Sequence, residues 1–368
     1  MGQRVVLAMS GGVDSSVAAL LLKEQGLDVV GLFMRTGAFS DDAERRTKTC
    51  CSATDAIDAR RVADRLDIPF YVLDFERDFA RIMDDFANEY AVGRTPNPCV
   101  LCNIWLKFGK LWAYGKQSGA DFVATGHYAR VRVAPDGSHR VARAVDRHKD
   151  QSYVLFGLRP ELLPHVLFPV GDRSKDEIRA LARAHGLPVH DKPDSQEICF
   201  VPSDDYLAFV RGRRPDLDTS GPLVDEDGTQ LGRHGGIEAF TIGQRRGLGV
   251  ALGAPRYVVQ IEPDSHIVKL GRREALARPA LEASCFNWQG PPPEGPTRCL
   301  AQVRARHQAV AATVEPLPGG RVRVAFDEPV TAVTPGQVVT LYQDDLVFGG
   351  GWIDRAIESV ATDVGQSG

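Results

Sequence analysis

This sequence of 368 residues contains no long apolar run and no marked excess of charge of either sign. Because a transmembrane helix needs about 20 consecutive apolar residues, the missing run argues against a membrane-spanning chain. The start of the sequence also lacks the charged and then apolar pattern of a secretory signal. We therefore expect a cytoplasmic protein that has no membrane partner.

The formal net charge of −4 provides no general attraction for nucleic acid. Any RNA binding would have to use local basic patches rather than the overall charge. Each of the candidate patches could equally be ordinary solvated surface. They are Arg211, Arg213 and Arg214; Arg245 and Arg246; and Arg304 and Arg306.

Cysteine is scarce and odd in number, with seven residues spread over the chain. This argues against a disulfide framework, which pairs an even number of cysteines in a short secreted chain. We expect reduced thiols, some of them available as nucleophiles or metal ligands.

The length of the chain predicts two or three domains rather than one core. Residues 1–202 alternate between apolar strand candidates and helical segments, which is typical of a doubly wound parallel α/β sheet. The strand candidates are Val5–Met9, Val29–Met34, Phe70–Phe75 and Phe122–Thr125. The helical segments are Val17–Gln25, Thr54–Leu66, Phe79–Tyr90, Leu106–Ser118 and Lys175–His185.

The composition changes beyond Pro202, where glycines become frequent. This favours a small β-rich central domain over residues 203–277. Within residues 278–368, segments such as Arg321–Phe326 and Val338–Tyr342 alternate apolar and polar side chains. Such alternation predicts the strands of a C-terminal antiparallel β-barrel.

The run Ser10-Gly11-Gly12-Val13-Asp14-Ser15-Ser16 lies between the first strand candidate and the first helical segment. Glycines allow a tight turn, and the backbone N–H groups at a helix start attract an anion. No Lys-Ser/Thr pair follows the glycines, which excludes a Walker A loop. The run instead predicts a pyrophosphate loop, which binds ATP for cleavage between the α and β phosphates. The simpler alternative is an ordinary glycine turn in which Asp14 only begins the helix.

Three segments are expected at one edge of the predicted sheet: the Ser10 loop, the residues after Met34, and Gly126-His127. Ligands of such sheets bind beyond the carboxyl ends of the strands. The sequence therefore predicts an active-site cleft at this edge.

A second motif, Thr95-Pro96-Asn97-Pro98-Cys99-Val100-Leu101-Cys102-Asn103, places two thiols in a loop stiffened by prolines. We expect Cys102 just before a helix, whose dipole makes a thiol more reactive. The C-x-x-C spacing alone also fits two small buried hydrophobic residues or half of a zinc site. Cys199 is the third thiol. The three could hold a [4Fe–4S] cluster with one iron open, or two of them could transfer persulfide sulfur. The cysteines interpreted as incidental are Cys50, Cys51, Cys285 and Cys299.

These two motifs occur in order with several others. The others are Ala124–Tyr128, Lys149–Tyr153, Asp194–Phe200, Phe240–Gly249, Ala332–Gln337 and Gly349–Gly351. In this combination nearly the whole chain resembles the bacterial tRNA-specific 2-thiouridylase family. The resemblance implies an enzyme that uses ATP to adenylate the C2 oxygen of the wobble uridine, position 34 of tRNA. Sulfur then replaces the oxygen, giving s2U34.

The resemblance also implies roles for individual residues. The implied ATP-binding residues are Ala8, Met9, Ser10, Gly11, Gly12, Val13, Asp14, Ser15, Met34 and Gly126, with Mg2+ beside Asp14. The residues implied in contacts with the target base or the tRNA are Asn97, Pro98, Cys99, His127, Lys149, Asp150, Gln151, Arg304, Ala305 and Gln337. The implied catalytic residues are Asp14, Cys102 as nucleophile and Cys199 as persulfide carrier, and turnover would leave a Cys102–Cys199 disulfide.

The expected partners follow from the same resemblance. They are tRNA, with the Lys, Glu and Gln isoacceptors expected, and a sulfur-relay protein or cysteine desulfurase as sulfur donor.

Two positions depart from the family pattern. Many members carry aspartate where this chain has Cys99, and an aromatic residue is commoner at the position of Ala305. Cys99, Cys102 and Cys199 form a set of three thiols that could bind a [4Fe–4S] cluster, whose open iron would present sulfide to the base. This route stands beside the persulfide route as an alternative hypothesis.

Two other functions compete with tRNA thiolation. One is an amidating ligase with a pyrophosphate loop, but Gly2 follows Met1, so no N-terminal cysteine is available as a glutaminase nucleophile. The other is a non-catalytic RNA-binding or redox-sensing protein, against which the intact loop and the thiols argue.

Overall fold

The structure is a computed structural model that describes residues 2–37, 53–194, 198–201, 205–250 and 253–358. Cys50 and Cys51 lie outside these residues, as do Ser195, Gln196 and Glu197 of the segment before Cys199.

Strands and helices are numbered in chain order within the described residues. Strands β1 to β17 are Arg4–Ala8, Asp28–Arg35, Phe70–Asp74, Phe122–Thr125, Ala129–Val133, His139–Arg143, Val166–Leu167, Gly221–Val224, Gln230–His234, Tyr257–Glu262, Ile267–Gly271, Ala277–Trp288, Thr297–Gln302, Val310–Leu317, Arg321–Thr331, Val338–Gln343 and Leu346–Ile357. Helices α1 to α7 are Val13–Glu24, Ala53–Arg65, Glu76–Ala91, Pro98–Leu101, Leu111–Gln117, Lys175–Ala184 and Tyr206–Arg213. A π-helix, Cys102–Lys110, joins α4 to α5, and the 3-10 turns are Ser152–Leu155, Pro160–His165, Ile237–Ala239 and Arg273–Leu276.

Five parallel strands form the first sheet, in the order β3-β2-β1-β4-β7. Side chains of β1 alternate between two cores, since Val5 and Leu7 pack on one face and Val6 on the other. Helices α1, α2 and α6 cover the first face, and α3 and α5 cover the second. The predicted doubly wound α/β sheet is confirmed, and the four strand candidates match β1 to β4 within one residue at each end.

The helix that carries the C-x-x-C motif begins earlier than the sequence predicts. We expected a helix over Leu106–Ser118 with Cys102 just before it, but helical structure runs from Pro98 to Gln117. Proline is favoured at the first helical position, because it lacks the N–H that would be unsatisfied there and its φ is already helical. Cys102 therefore follows the first turn, and the expectation that it lies at a helix N-terminus is wrong.

The remaining strands form two further sheets. One is the four-stranded sheet β10-β11-β8-β9, which contributes to a small apolar core that includes Leu223, Phe240 and Val268. Strands β12-β15-β14-β13-β16-β17 close into an antiparallel barrel, because β17 also pairs with β12. The predicted β-rich central region and C-terminal barrel are confirmed in fold class, while the boundaries 1–202, 203–277 and 278–368 stay predictions.

A hairpin from the first region joins the barrel sheet. Strands β5 and β6 pair with each other, and Ala142 of β6 lies opposite Leu346 of β17. The side chain of Gln289 strengthens this junction, since it accepts from Val141 N at 2.8 Å and donates to Leu155 O at 3.0 Å. Local periodicity does not predict this pairing, because its two partners are far apart in the sequence. No helix in the described ranges is long and apolar enough to cross a membrane.

Candidate active site

The glycine–serine loop connects β1 to α1 at the carboxyl edge of the first sheet, as the sequence predicts. Gly12 precedes the first helical turn. Ser15 and Ser16 donate their hydroxyls to the Gly12 carbonyl oxygen at 3.2 and 2.8 Å, and Ser15 Oγ accepts from Ser10 N at 3.2 Å. These bonds hold the loop at the start of α1, where the first backbone N–H groups suit an anion.

Gly126, directly after β4, packs against the first turn of α1. A Cβ at this position would lie 2.6 Å from Ser15 N and 2.8 Å from the carbonyl carbon of Asp14. Both neighbours are backbone atoms, which cannot move aside as the end of a side chain can. The absence of a side chain at Gly126 therefore allows β4 and the loop to meet.

Gly126→Ala is expected to lower kcat/KM for ATP by about a hundredfold, because the added methyl group must displace the first turn of α1. Steady-state kinetics with varied ATP measure the effect. Gly295→Ala is the matched control, since a Cβ there would meet no atom within 4 Å. Equal kcat/KM values for the two variants would contradict the assignment of Gly126 to the nucleotide site.

Gly11 has a φ of 72°, and a Cβ there would lie 2.2 Å from the carbonyl oxygen of Asp55 in α2. Lys192 holds this contact, because its Nζ donates to Gly11 O at 3.0 Å, to Asp55 Oδ1 at 2.6 Å and to Asp58 Oδ2 at 2.7 Å. Burial alone would lower the pKa of Lys192, but the hydrogen bonds to the two carboxylates raise it. The ammonium group thus stays charged and fixes the loop to α2.

Asp14, the acidic residue of the loop, is held by two neighbours. Lys175 Nζ lies 2.7 Å from its Oδ1 and 2.9 Å from its Oδ2. The hydroxyl of Tyr128 donates to Asp14 Oδ1 at 2.8 Å. Burial, followed by the charge of Asp14, raises the pKa of Tyr128, so this hydroxyl keeps its proton and remains a donor. The direction of the Asp14 carboxylate is therefore set by both neighbours.

Lys175 also reaches Asp194, which begins the segment that carries Cys199. Its Nζ lies 2.8 Å from Asp194 Oδ1, while Lys149 Nζ lies 2.7 Å from Oδ2 and Arg179 donates to Oδ1 at 2.9 Å. Lys175 is almost entirely buried, with 8% of its surface exposed. One buried ammonium group thus connects the predicted pyrophosphate loop to the first residue of the Cys199 segment.

The acid dependence of Asp194 can be predicted from its surroundings. Burial alone would raise the pKa of Asp194, but hydrogen bonds from Lys149 and Lys175, and their charges, outweigh burial and lower it to about 2. A carboxyl group with a lowered folded pKa stabilises the fold above its unfolded pKa of about 3.9. This contribution is lost as the pH falls through the folded pKa.

We therefore expect the difference in free energy of unfolding between wild type and Asp194→Asn to be constant from pH 7 to about pH 5 and to shrink towards about pH 2. Denaturant unfolding at a series of pH values measures this difference. A difference that stays the same down to about pH 3 would show that the ion pairs do not hold Asp194 ionised.

The central region and the barrel both form hydrogen bonds with the loop before Cys99. Thr95 N donates to Pro335 O at 2.9 Å, and the Gln337 amide donates to Thr95 O at 3.0 Å and to Pro96 O at 3.1 Å. Thr95 Oγ1 also donates to Thr241 Oγ1 at 3.4 Å. Gln337, predicted as a tRNA contact, thus fixes the cysteine loop to the barrel.

The structure brings two of the three thiols to one core. Cys99 is exposed, whereas Cys102 and Cys199 are half-buried. The same hydrophobic cluster packs against Cys102, Cys199 and the predicted nucleotide-binding residues Ala8 and Met34. Within the described ranges, no three Cys, His, Asp or Glu side chains are grouped so that they could hold a metal ion.

The neighbouring residues of the cysteine loop differ in exposure. Pro98 is buried at the first position of α4, and Asn97, directly before it, is half-buried. Cys99 follows and is exposed. Of these three predicted base contacts, Cys99 is thus the most accessible.

Asp150 and Gln151, two predicted tRNA contacts, form hydrogen bonds within the protein. The Asp150 carboxylate accepts from Ala144 N at 2.9 Å and from Ser152 Oγ at 2.8 Å. Gln151 is exposed, but its Oε1 accepts from Tyr128 N at 2.9 Å. Both side chains therefore hold the turn that carries Lys149 beside Asp194.

His127, another predicted tRNA contact, is buried, with 9% of its surface exposed. Its Nδ1 lies 2.7 Å from Thr125 Oγ1, and its ring lies near those of Phe108 and Phe168. Burial, and then the charge of Lys107, lowers the pKa of His127 well below its usual value. The imidazole is neutral at pH 7 and offers no positive charge to RNA.

Arg304 and Ala305 lie in the turn after β13. Arg304 Nη2 donates to Ile242 O at 2.9 Å and to Thr334 Oγ1 at 2.6 Å, which joins the central region to the barrel. Burial lowers the pKa of this arginine. Ala305 is exposed, and its carbonyl oxygen accepts from the Gln302 amide at 3.1 Å.

Comparison with known proteins agrees with this geometry. Residues 3–203 match the domain family described as tRNA methyl transferase HUP domain. Residues 208–272 match its PRC-barrel domain, and residues 278–353 match the aminomethyltransferase β-barrel domain. The tRNA-specific 2-thiouridylase MnmA of Geotalea uraniireducens is 47% identical over 361 residues, which cover 97% of this chain and 96% of the relative.

The chain belongs to the tRNA-specific 2-thiouridylase family. A second relative of that name, from Rhodopirellula baltica, is 46% identical to this chain. The match covers 97% of this chain and 98% of the relative. Among solved structures, NMN synthetase from Francisella tularensis matches 58% of this chain and 78% of its own, at 16% identity and a TM-score of 0.34. Membership confirms the predicted family and the predicted enzyme class, a tRNA sulfurtransferase.

Sequence reasoning missed Lys175, Tyr128 and Lys192 in this thiouridylase. One local signal marks the position of Lys175, because Ser174 and Glu177 form a capping box that fixes the start of α6 beside it. That signal says nothing about which residue the lysine contacts. The contact with Asp14 depends on how α6 packs against α1.

Proposed function

We propose that this thiouridylase adenylates the C2 oxygen of the wobble uridine, position 34 of tRNA, and replaces it with sulfur carried as a persulfide on Cys199. The product is s2U34. The Lys175 bridge carries this proposal, since one ammonium group lies 2.7 Å from Asp14 of the loop and 2.8 Å from Asp194 before Cys199. The groups for adenylation and for sulfur transfer are thereby held in one arrangement.

The first half-reaction creates a leaving group. The uracil C2 oxygen attacks the α-phosphorus of ATP, and the bond from that phosphorus to the bridging oxygen breaks, releasing pyrophosphate. The loop suits pyrophosphate, because the backbone N–H groups at the start of α1 and the hydroxyls of Ser10 and Ser15 lie at the same place. Gly126 keeps β4 close enough to complete this pocket.

Asp14 fits a role beside Mg2+, because that ion takes one or two carboxylates together with substrate phosphates. The ion would neutralise phosphate charge during adenylation. Asp14 already holds Lys175 and Tyr128, so the chain supplies a fixed carboxylate and a cation at the same place.

The second half-reaction transfers sulfur. The terminal sulfur of the Cys199 persulfide attacks C2, and AMP leaves with the former C2 oxygen. The Cys102 thiolate then attacks Cys199 Sγ, which breaks the S–S bond and leaves the electron pair on the sulfur attached to C2. The products are thiouridine and a Cys102–Cys199 disulfide, which a thiol reductant reopens. Cys102 and Cys199 both pack against the hydrophobic cluster that covers the Val6 face of the first sheet.

The cluster route remains as the competing hypothesis, because Cys99 supplies a third thiol. Among the described residues no three side chains are grouped as ligands for a metal ion, and we assign no step to a cluster. Anaerobic reconstitution followed by iron and sulfide counting separates the two routes. Full activity of iron-free enzyme supports the persulfide route, and activity that depends on iron contradicts it.

The proposed substrates are tRNAs for Lys, Glu and Gln, and the proposed sulfur donor is a sulfur-relay protein or a cysteine desulfurase. The proposed location is the cytoplasm, where tRNA is present and thiols stay reduced. Each candidate tRNA is incubated with enzyme, ATP and each candidate donor, and mass spectrometry of its nucleosides identifies both the tRNA set and the donor.

The decisive experiment incubates unmodified tRNA with enzyme, ATP and a sulfur source and analyses the nucleosides by mass spectrometry. We expect 2-thiouridine only at position 34 and only with hydrolysable ATP. A tRNA with cytidine at position 34 is the control, because it cannot give this product. Release of pyrophosphate without tRNA would instead support an amidating ligase, and thiolation that survives Ser10→Ala and Ser15→Ala would contradict the role of the loop.

A further inference from the structure

The arginine groups that the sequence marks as candidate RNA patches differ in their surroundings. Arg211 pairs with the buried carboxylate of Glu238 at 3.0 Å, and Arg213 pairs with Asp84 at 2.8 Å. Arg245 and Arg246 are both exposed, and neither guanidinium has an ion-pair or hydrogen-bond partner among the residues that the structure describes. Within the part of the chain that the structure describes, no carboxylate neutralises the charge of this second group.

These two arginines lie on a turn, residues 241–247, that is firmly held although its tip is exposed. Gly243 N donates to Val258 O at 2.8 Å, and Val258 N donates to Gln244 O at 3.0 Å, which attaches the turn to β10. The Gln244 side chain closes the turn from within, because its Oε1 accepts from Thr241 N at 3.0 Å and its Nε2 donates to Arg246 O at 3.0 Å. The two charges are thus presented on a fixed backbone.

The turn stands where the three parts of the chain meet. Arg304 of the barrel region donates to Ile242 O at 2.9 Å, and Thr95 of the cysteine loop donates to Thr241 Oγ1 at 3.4 Å. Thr95 is four residues before Cys99 and is itself fixed by Gln337 of the barrel. The arginine pair therefore has a set position relative to the loop that the proposed function places against the target base.

We propose that Arg245 and Arg246 bind two backbone phosphates of the anticodon arm of tRNA, next to the wobble nucleotide. This inference rests on the proposed function and adds a binding site to it. A guanidinium group is always charged and matches two phosphate oxygens at once. Because the net charge of the protein is −4, binding of a polyanion must come from such local groups. Phosphate contacts position a nucleic acid without reading its sequence.

The test measures the binding of unmodified tRNA to full-length protein at a series of salt concentrations. Arg245→Ala/Arg246→Ala is expected to weaken binding by about tenfold or more at low salt, and to reduce the slope of log K against log salt by about two. The KM for tRNA should rise while kcat at saturating tRNA changes by less than about twofold, because a phosphate contact is made equally before and during reaction. Arg245→Lys/Arg246→Lys should retain most of the slope, since the charges remain.

The matched control is Arg159→Ala/Arg233→Ala, which also removes two exposed arginines. It should keep the wild-type slope and affinity. A double variant at 245 and 246 with the wild-type slope would overturn the phosphate site while leaving the proposed function intact. Wild-type protein that binds no tRNA would overturn the proposed function, so the two failures are distinguishable.

Discussion

Lys175→Ala is expected to lower tRNA thiolation by about a hundredfold to a thousandfold, with the loss at the adenylation step. The ammonium group lies 2.7 Å from Asp14 Oδ1 in the loop that would bind pyrophosphate, so its removal takes away a positive charge where negative charge develops. It also leaves the carboxylates of Asp14 and Asp194 without their shared cation. We expect a loss of about 2 kcal/mol in stability, because a nearly buried ion pair loses one partner.

The measurement is tRNA-dependent release of pyrophosphate, together with the free energy of unfolding. Arg179→Ala is the matched control, because Arg179 also donates to Asp194 at 2.9 Å. Its other hydrogen bonds go to the carbonyl oxygens of His190 and Lys192 rather than to Asp14. Arg179→Ala should disturb the Cys199 segment and leave pyrophosphate release within about threefold of wild type. Equal losses of pyrophosphate release in both variants would show that Lys175 acts only as a structural partner of Asp194.

Lys175→Arg separates charge from shape. A guanidinium group keeps the positive charge, but its planar fork does not reproduce a single nitrogen that lies within hydrogen-bond distance of two carboxylates. We expect stability close to wild type with pyrophosphate release reduced by about tenfold or more. Full activity of this variant would indicate that charge alone is required.

The second large effect is expected at the thiols. Cys199→Ser and Cys102→Ser should each lower thiolation by about a thousandfold or more, while tRNA-dependent pyrophosphate release continues in both. The reason is that a hydroxyl can neither carry a persulfide nor attack a disulfide as a thiolate does. Nucleoside mass spectrometry and pyrophosphate assays measure the two half-reactions separately.

The two variants are expected to differ in what they trap. In Cys102→Ser the sulfur bound to C2 should stay linked to Cys199, because the group that breaks the S–S bond is missing. Gel electrophoresis without reductant should then show tRNA covalently attached to protein, and dithiothreitol should release it. Cys199→Ser should show no such adduct.

Two further cysteines provide controls for this experiment. Cys285 is exposed in β12 of the barrel, so Cys285→Ser should leave thiolation unchanged. Cys99→Ala tests the cluster hypothesis, since the persulfide route needs only Cys102 and Cys199. If Cys102→Ser forms no adduct and Cys99→Ala loses activity, these results contradict the persulfide route and favour a cluster.

Much of the first domain could be predicted because its signals are local. Apolar runs such as Phe122–Thr125 mark strands, and observed β4 has the same bounds. The glycine–serine run lies between β1 and α1 because strand, turn and helix preferences follow one another within a few residues. The start of the helix at Pro98 was missed, although the preference of proline for a first helical position could have indicated it.

The candidate site divides in the same way. Local runs of residues in the sequence predicted the pyrophosphate loop and, taken together in order, the family. The roles of Cys102 and Cys199 follow from that resemblance and stay predictions. Only the tertiary structure placed Lys175 between Asp14 and Asp194, docked Thr95 against Gln337, and paired β6 with β17. These contacts join residues far apart in sequence, and side-chain geometry decides them, so no local pattern encodes them.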